Sequence, residues 1–208
     1  MERLSRSGLV LGTATLVISS FVLLTAWTAA AQKPEEKKAA PAAPAATPPA
    51  MPPAPKPAAE LDQLKFLVGK WKCDGKQMAT PMMGPEHMFK ASADAKMDID
   101  NFWQTWTYEE KKSKEHPGLK VHGMWGWDAG HKRFVRAGAD NMGGWDEGTA
   151  PGLEGDKLVW SGEFSGPMGA MSYHHTFTKK SDKEWSYLLE IKGPDGKFMP
   201  VSEVTCKK

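Results

Sequence analysis

Six histidines, His87, His116, His122, His131, His174 and His175, are the side chains best suited to hold a metal or move a proton. A metal site needs two to four ligands converging on one point. The spacing works against that. His174 and His175 are adjacent in an alternating stretch, so a strand there sends them to opposite faces, and His116 and His131 fall among turn residues. No CxxC or HxH cluster is present. Nucleophilic chemistry is no better served. In Gly162-Glu163-Phe164-Ser165-Gly166 the serine comes one place too late for a Gly-x-Ser-x-Gly elbow, and no strand–turn–helix pattern surrounds it. Asp98-Ile99-Asp100-Asn101 lacks the spacing of a calcium loop. Asp140-Asn141 and Asp146-Glu147 sit at or beside a Gly-rich turn, where Asp and Asn serve by bonding their own backbone. These carboxylates are read as turn residues, and no catalytic residue is assigned. Two inward polar candidates remain: His175, which alternates with Tyr173 and Phe177, and Gln104, which alternates with Trp106. Each suits the rim of a small-molecule pocket or a satisfied core position.

The elements that would position these residues are strands. Turn residues recur every 8–14 positions from Gly84-Pro85 to Gly193-Pro194-Asp195-Gly196, and the segments between them alternate. About ten strands result, joined by links short enough to favour antiparallel neighbours. Leu119, Val121, Gly123, Trp125 and Trp127 share a face, as do Trp185, Tyr187, Leu189 and Ile191. Residues 132–139 are ambiguous, because Phe134 and Val135 disagree about which face is inward. One helical signal precedes the strands, from Glu60 to Val68, closed by Gly69. So short a helix cannot cover the apolar face of ten strands. Closing the sheet buries that face and removes the exposed edges. The expected fold is therefore all-β: an antiparallel up-and-down closed barrel of about ten strands with one short N-terminal helix. A two-sheet sandwich is the alternative.

Composition divides the chain into three. Residues 1–31 read as an export signal: Arg3 and Arg6, an apolar run from Leu9 to Trp27, then Ala29-Ala30-Ala31 before a cut between Ala31 and Gln32. An uncleaved membrane anchor is the alternative, since about 20 apolar residues span a bilayer. Residues 32–60 are nearly all Ala, Pro, Lys and Glu, a composition that favours a disordered, semi-rigid spacer. Residues 61–208 form the domain, with 21 basic and 21 acidic residues. That balance gives no electrostatic case for nucleic acid, and the membrane is a partner only if the signal stays uncleaved. The same segment holds eight of the nine tryptophans and ten of the twelve methionines. Large, soft side chains in that number suit an adaptable apolar pocket.

Only two cysteines occur, Cys73 near the start of the domain and Cys206 near its end. In an oxidising compartment they pair, and pairing them makes the first and last strands neighbours, as barrel closure requires. Export to the periplasm or beyond is the expected location.

Several segments are similar to a known family. Leu64-Lys65-Phe66-Leu67-Val68-Gly69-Lys70-Trp71 ends in Gly69-Lys70-Trp71, which just after a short helix resembles the Gly-x-Trp start of lipocalin-like (calycin) barrels. With Asp140-Asn141-Met142-Gly143-Gly144, Gly155-Asp156-Lys157-Leu158-Val159-Trp160-Ser161-Gly162-Glu163, Thr176-Phe177-Thr178-Lys179-Lys180-Ser181 and the terminal Cys-Lys-Lys, it resembles the bacterial domain-of-unknown-function family 1579 from about Leu61 to Lys208. The resemblance implies a lipocalin-like barrel and no activity. The same barrel type includes nitrobindin-like haem proteins, which ligate iron through a histidine on the last strand. Matching the chain ends puts Glu203 there, so no haem, and no other cofactor, is expected.

The functional expectation is an exported binding module holding a small apolar or amphipathic molecule, lined by Gln104, Trp106, Trp125, Trp127, Trp160, Tyr173, His175, Trp185 and Tyr187. The alternatives are a structural or interaction domain with a filled core, and an enzyme with a polar site at the barrel mouth.

Overall fold

The computed structural model describes residues 51–208 apart from Met82, Glu115 and Met168. The expected signal, its cut at Ala31–Gln32 and residues 32–50 of the spacer lie outside the described residues. Residues 51–58 carry no regular secondary structure. The helix begins at Ala59, within the last residues of the expected spacer, and runs to Leu67 as a 3-10 helix. Its buried residues Leu61, Leu64 and Leu67 explain the type: with three residues per turn, positions three apart eclipse and form a single apolar edge. Among the described residues no helix is long and apolar enough to cross a membrane.

Eleven strands follow: β1 (Gly69–Gln77), β2 (His87–Asp98), β3 (Trp103–Glu110), β4 (Lys120–Asp128), β5 (Arg133–Asp140), β6 (Trp145–Ala150), the two-residue β7 (Leu153–Glu154), β8 (Lys157–Gly166), β9 (Gly169–Ser181), β10 (Glu184–Lys192) and β11 (Phe198–Lys207). Apart from β6 and β7, each pairs antiparallel with its neighbour in the chain, β1 pairs β11, and β6 pairs β8 past β7. Ten strands thus close an up-and-down barrel, and β7 is a small hairpin arm on β8. Closure leaves the ten strands no free edge.

The barrel is sealed at the β1–β11 seam. Cys73 stands opposite Cys206 in register, with Cα atoms 4.1 Å apart, and their sulfurs are bonded. Both cysteines face inward and are buried, so the disulfide is part of the core. The 3-10 helix plugs the end of the barrel where β1 begins. Leu61, Leu64 and Leu67 pack there with Trp71, Phe134, Leu158 and Trp160. Polar groups fix the plug: the Trp71 indole donates to the Leu67 carbonyl at 2.8 Å, the Gln104 amide donates to the Leu64 carbonyl at 3.1 Å, and the Leu153 N–H donates to Gln63 Oε1 at 2.8 Å.

Alternation placed the faces of most strands correctly, and the structure resolves the ambiguous one. On β5, Phe134 is fully buried and Arg136 is 5 % exposed, so the inward series is Phe134, Arg136, Gly138. A guanidinium therefore lies inside the barrel.

Candidate functional site

Above the plug the interior opens into a cavity of about 560 Å³, within the range of small-molecule sites. Its floor includes Leu67, Trp125 and Trp185, and its far end reaches Met83, Met142 and Pro167. These last three belong to the links β1–β2, β5–β6 and β8–β9, at the end opposite the helix, which is the mouth. Of the residues expected to line a pocket, Trp106, Trp125, Tyr173, His175, Trp185 and Tyr187 do so. Gln104, Trp127 and Trp160 do not. Gln104 is fully buried under the helix that it caps. Trp127 packs edge-on to Phe134 at 4.9 Å between ring centres, and Trp160 is fully buried against Trp125 at 5.8 Å. Both tryptophans belong to the packed floor.

A polar cluster occupies the cavity wall on β5, β6, β9 and β10. Arg136 Nε lies 2.8 Å from Asp146 Oδ2, with the arginine side chain 2 % exposed. The contact is electrostatic rather than an aligned hydrogen bond, since Nε–H has no acceptor along its axis. Arg136 also donates through Nη1 to His175 Nδ1 at 2.5 Å. Tyr173 donates its hydroxyl to Asp146 Oδ2 at 2.9 Å, with the Glu147 carbonyl at 3.0 Å. Tyr187 stands edge-on to His175, ring centres 5.2 Å apart. The guanidinium carbon lies 5.4 Å from the Trp106 ring, 5.8 Å from Trp160 and 5.6 Å from Tyr173, so aromatic faces help to hold the cation.

Glycines make the cluster possible. Gly148 and Gly162 face each other across β6 and β8, and Gly162 pairs in turn with Tyr173 on β9. A Cβ on Gly148 would come 2.5 Å from the Tyr173 hydroxyl, and one on Gly162 would strike the Glu147 carbonyl. The missing side chains let the tyrosine reach across β8 to Asp146 on β6.

Burial sets the protonation states. His175 is pushed well below the ordinary imidazole value, first by burial and then by the Arg136 cation, so the ring is neutral. Arginine only donates, so Nδ1 is the acceptor and the ring proton is assigned to Nε2. Tyr173 and Tyr187 are pushed above the usual phenol range chiefly by burial and stay protonated. The wall is thus rich in donors. Asp146 is engaged by Arg136 and Tyr173. Asp140 Oδ1 accepts from the N–H groups of Met142 and Gly144.

Sequence reasoning missed two members of the cluster. In the sequence Asp146 reads as a turn residue together with Asp140. That holds for Asp140, but Asp146 is on β6, 7 % exposed and pointing inward. Its neighbour Trp145, which points outward and is 51 % exposed, hid the alternation. Arg136 gives no signal of its own in the sequence, because a charge is rarely buried unless paired and Asp146 reads as a turn residue. The interior glycines were the available signal, since a glycine inside a strand often marks a close approach.

Among the described residues no group of three His, Cys, Asp or Glu could hold a metal ion. Glu203, which the haem-protein comparison singles out, is exposed on the outer face of β11. Ser165 lies within β8, paired with Trp145 and Ala170, and has no elbow geometry.

Comparison with known proteins agrees with this architecture. No curated protein matches the chain. The crystal structure of Rv2717c from M. tuberculosis is similar with a TM-score of 0.56 at 13 % identity, covering 74 % of this chain and 99 % of that one. At such identity the likeness is one of fold alone. A redesigned β-barrel, b11L5F_LGL, matches with a TM-score of 0.35 at 10 % identity over 69 % of this chain and 92 % of its own, too low to argue from. The family model described as "Protein of unknown function (DUF1579)" matches residues 56–208, which take in every strand of the barrel and every residue of the polar cluster, and the chain belongs to that family.

Proposed function

We propose that the protein is a binding module for a small apolar or amphipathic molecule, held in the barrel and entering through the mouth opposite the helix. The observation that carries this reading is the cavity itself: about 560 Å³ inside a barrel whose floor is otherwise close-packed. A domain selected only for stability gains by filling such a space, because lost packing costs stability in proportion to the void. Methionines at the rim, Met83, Met142 and Met171, suit a site that adapts to its occupant. The wall also argues against an enzyme. His175 has no free lone pair to serve as a base, and Asp146 is already engaged. Export is part of the proposal. The disulfide supports it, since such bonds persist in oxidising compartments.

Tryptophan emission tests the reading. Trp106, Trp125 and Trp185 line the cavity, so 1-bromodecane should quench saturably through its heavy atom. Ala93 also lines the cavity, and Ala93→Phe should fill it and weaken the quenching at least fivefold while the far-ultraviolet circular dichroism is retained. Quenching that rises linearly, equally in both proteins, would mean that no site exists.

A further inference from the structure

We infer that the ligand presents a neutral hydrogen-bond acceptor, the carbonyl of a ketone, ester or amide, to the polar cluster, with its apolar body directed towards the mouth. The inference rests on the binding reading above and adds the chemistry of the head group. The indole N–H groups of Trp106, Trp125 and Trp185 on the cavity wall and Arg136 Nε have no acceptor among the described residues, and within the polar cluster three more donors stand without one. Arg136 uses Nε towards Asp146 and Nη1 towards His175, which leaves Nη2 unengaged. His175 accepts at Nδ1 and therefore carries its proton on Nε2, which has no protein partner. The Tyr187 hydroxyl is likewise without one. All three residues line the same cavity. They are close together, with His175 and Tyr187 ring centres 5.2 Å apart and the Arg136 nitrogen in contact with the imidazole. Donors deep in a mostly apolar cavity lose part of their hydration, and a ligand that brings an acceptor restores the missing partner.

Charge decides between an anionic and a neutral acceptor. Asp146 already neutralises Arg136 at 2.8 Å, and His175 is neutral. The cavity wall as a whole carries one guanidinium against the inward carboxylates of Asp140 and Asp146, while Asp94 is exposed on the outer face of β2. A ligand carboxylate would be a third negative charge, desolvated beside an ion pair that is already balanced, and desolvation of an unpaired ion costs more than hydrogen bonds return. A carbonyl takes the same donors without that cost. Between the cluster and the mouth the wall is mostly apolar, with Leu119, Val121, Phe164, Met171, Leu189 and Ile191, interrupted by Tyr108 and Asp140. That order along the barrel sets the ligand's direction, head inward and chain outward.

The experiment uses the full chain at pH 7.5 and three probes of one length, 2-decanone, decanoate and decane, each displacing 1-bromodecane. The expected result is that 2-decanone binds at least tenfold more tightly than either other probe. Tyr187→Phe, which removes one donor and keeps the ring, should weaken 2-decanone three- to tenfold and leave decane unchanged. Decanoate binding more tightly than 2-decanone would overturn the inference, as would decane matching 2-decanone, and in both cases the cavity reading survives. Failure of all three probes and of 1-bromodecane to bind would overturn the cavity reading and this inference with it.

Discussion

Replacing Arg136 by methionine isolates the energetic role of the buried ion pair. Methionine keeps most of the stem volume and removes the charge. The Asp146 carboxylate, its side chain 10 % exposed, would then keep only the Tyr173 hydroxyl as a side-chain partner. Breaking a buried pair by deleting one member costs about 3–5 kcal/mol, because the remaining charge is uncompensated. For a domain of this size each kcal/mol moves the thermal midpoint by about 2–4 °C, so Arg136→Met should lower it by about 6–20 °C. A whole domain is stable by only about 5–15 kcal/mol, so the variant stands near its folding limit. The double variant Arg136→Met/Asp146→Leu removes both charges and leaves Tyr173 its second acceptor, the Glu147 carbonyl. Replacing a buried pair by apolar groups is often neutral, so most of the loss should return. Urea and thermal unfolding of the wild type, both single variants and the double variant give the coupling directly. A loss below about 1 kcal/mol for Arg136→Met, or a double variant no more stable than the single, would refute the description of Arg136 and Asp146 as a mutually dependent buried pair.

Three further outcomes follow from the geometry. Gly162→Ala puts a Cβ against the Glu147 carbonyl and should cost at least about 2 kcal/mol, while Gly155→Ala, whose Cβ meets nothing within 4 Å, should cost only the strain of its positive φ; chemical unfolding compares them. Denatured, unreduced protein should show no free thiol; the Cys73–Cys206 bond spans 133 positions, worth about 5 kcal/mol on the chain-entropy model, so reduction should lower the thermal midpoint by about 10–20 °C. His175 has a depressed value in the folded chain, so the unfolded state takes up its proton first; stability should be full above the unfolded value near 6.5 and fall as pH drops below it, by up to about 1.4 kcal/mol per pH unit, and His175→Gln should flatten the slope measured by urea unfolding between pH 6.5 and 5.

The frame was legible in the sequence because the physics behind it is local. Leu119 through Trp127 alternate without a break, and both faces follow from the pleat alone. Cys73 and Cys206 announced the closing seam because two cysteines admit one pairing. The cluster was less legible because it depends on partners far apart in sequence. Arg136 reads as a surface residue until Asp146 is placed opposite, and Asp146 reads as a turn residue until β6 is known to start at Trp145. Tyr173 and His175 were found by alternation, but their partners are 27 and 39 positions away. Gln104 shows the converse limit: alternation put it inside correctly, yet only the helix above it reveals that it caps Leu64 rather than facing the cavity.

The central claim is that the cavity is a binding site. Native mass spectrometry of the full chain, purified from its own cells without detergent, tests it most directly. The account requires a discrete non-covalent adduct of small-molecule mass on the wild type that is lost from Ala93→Phe. The bare chain mass alone for the wild type, or an adduct equally abundant on both proteins, would contradict it.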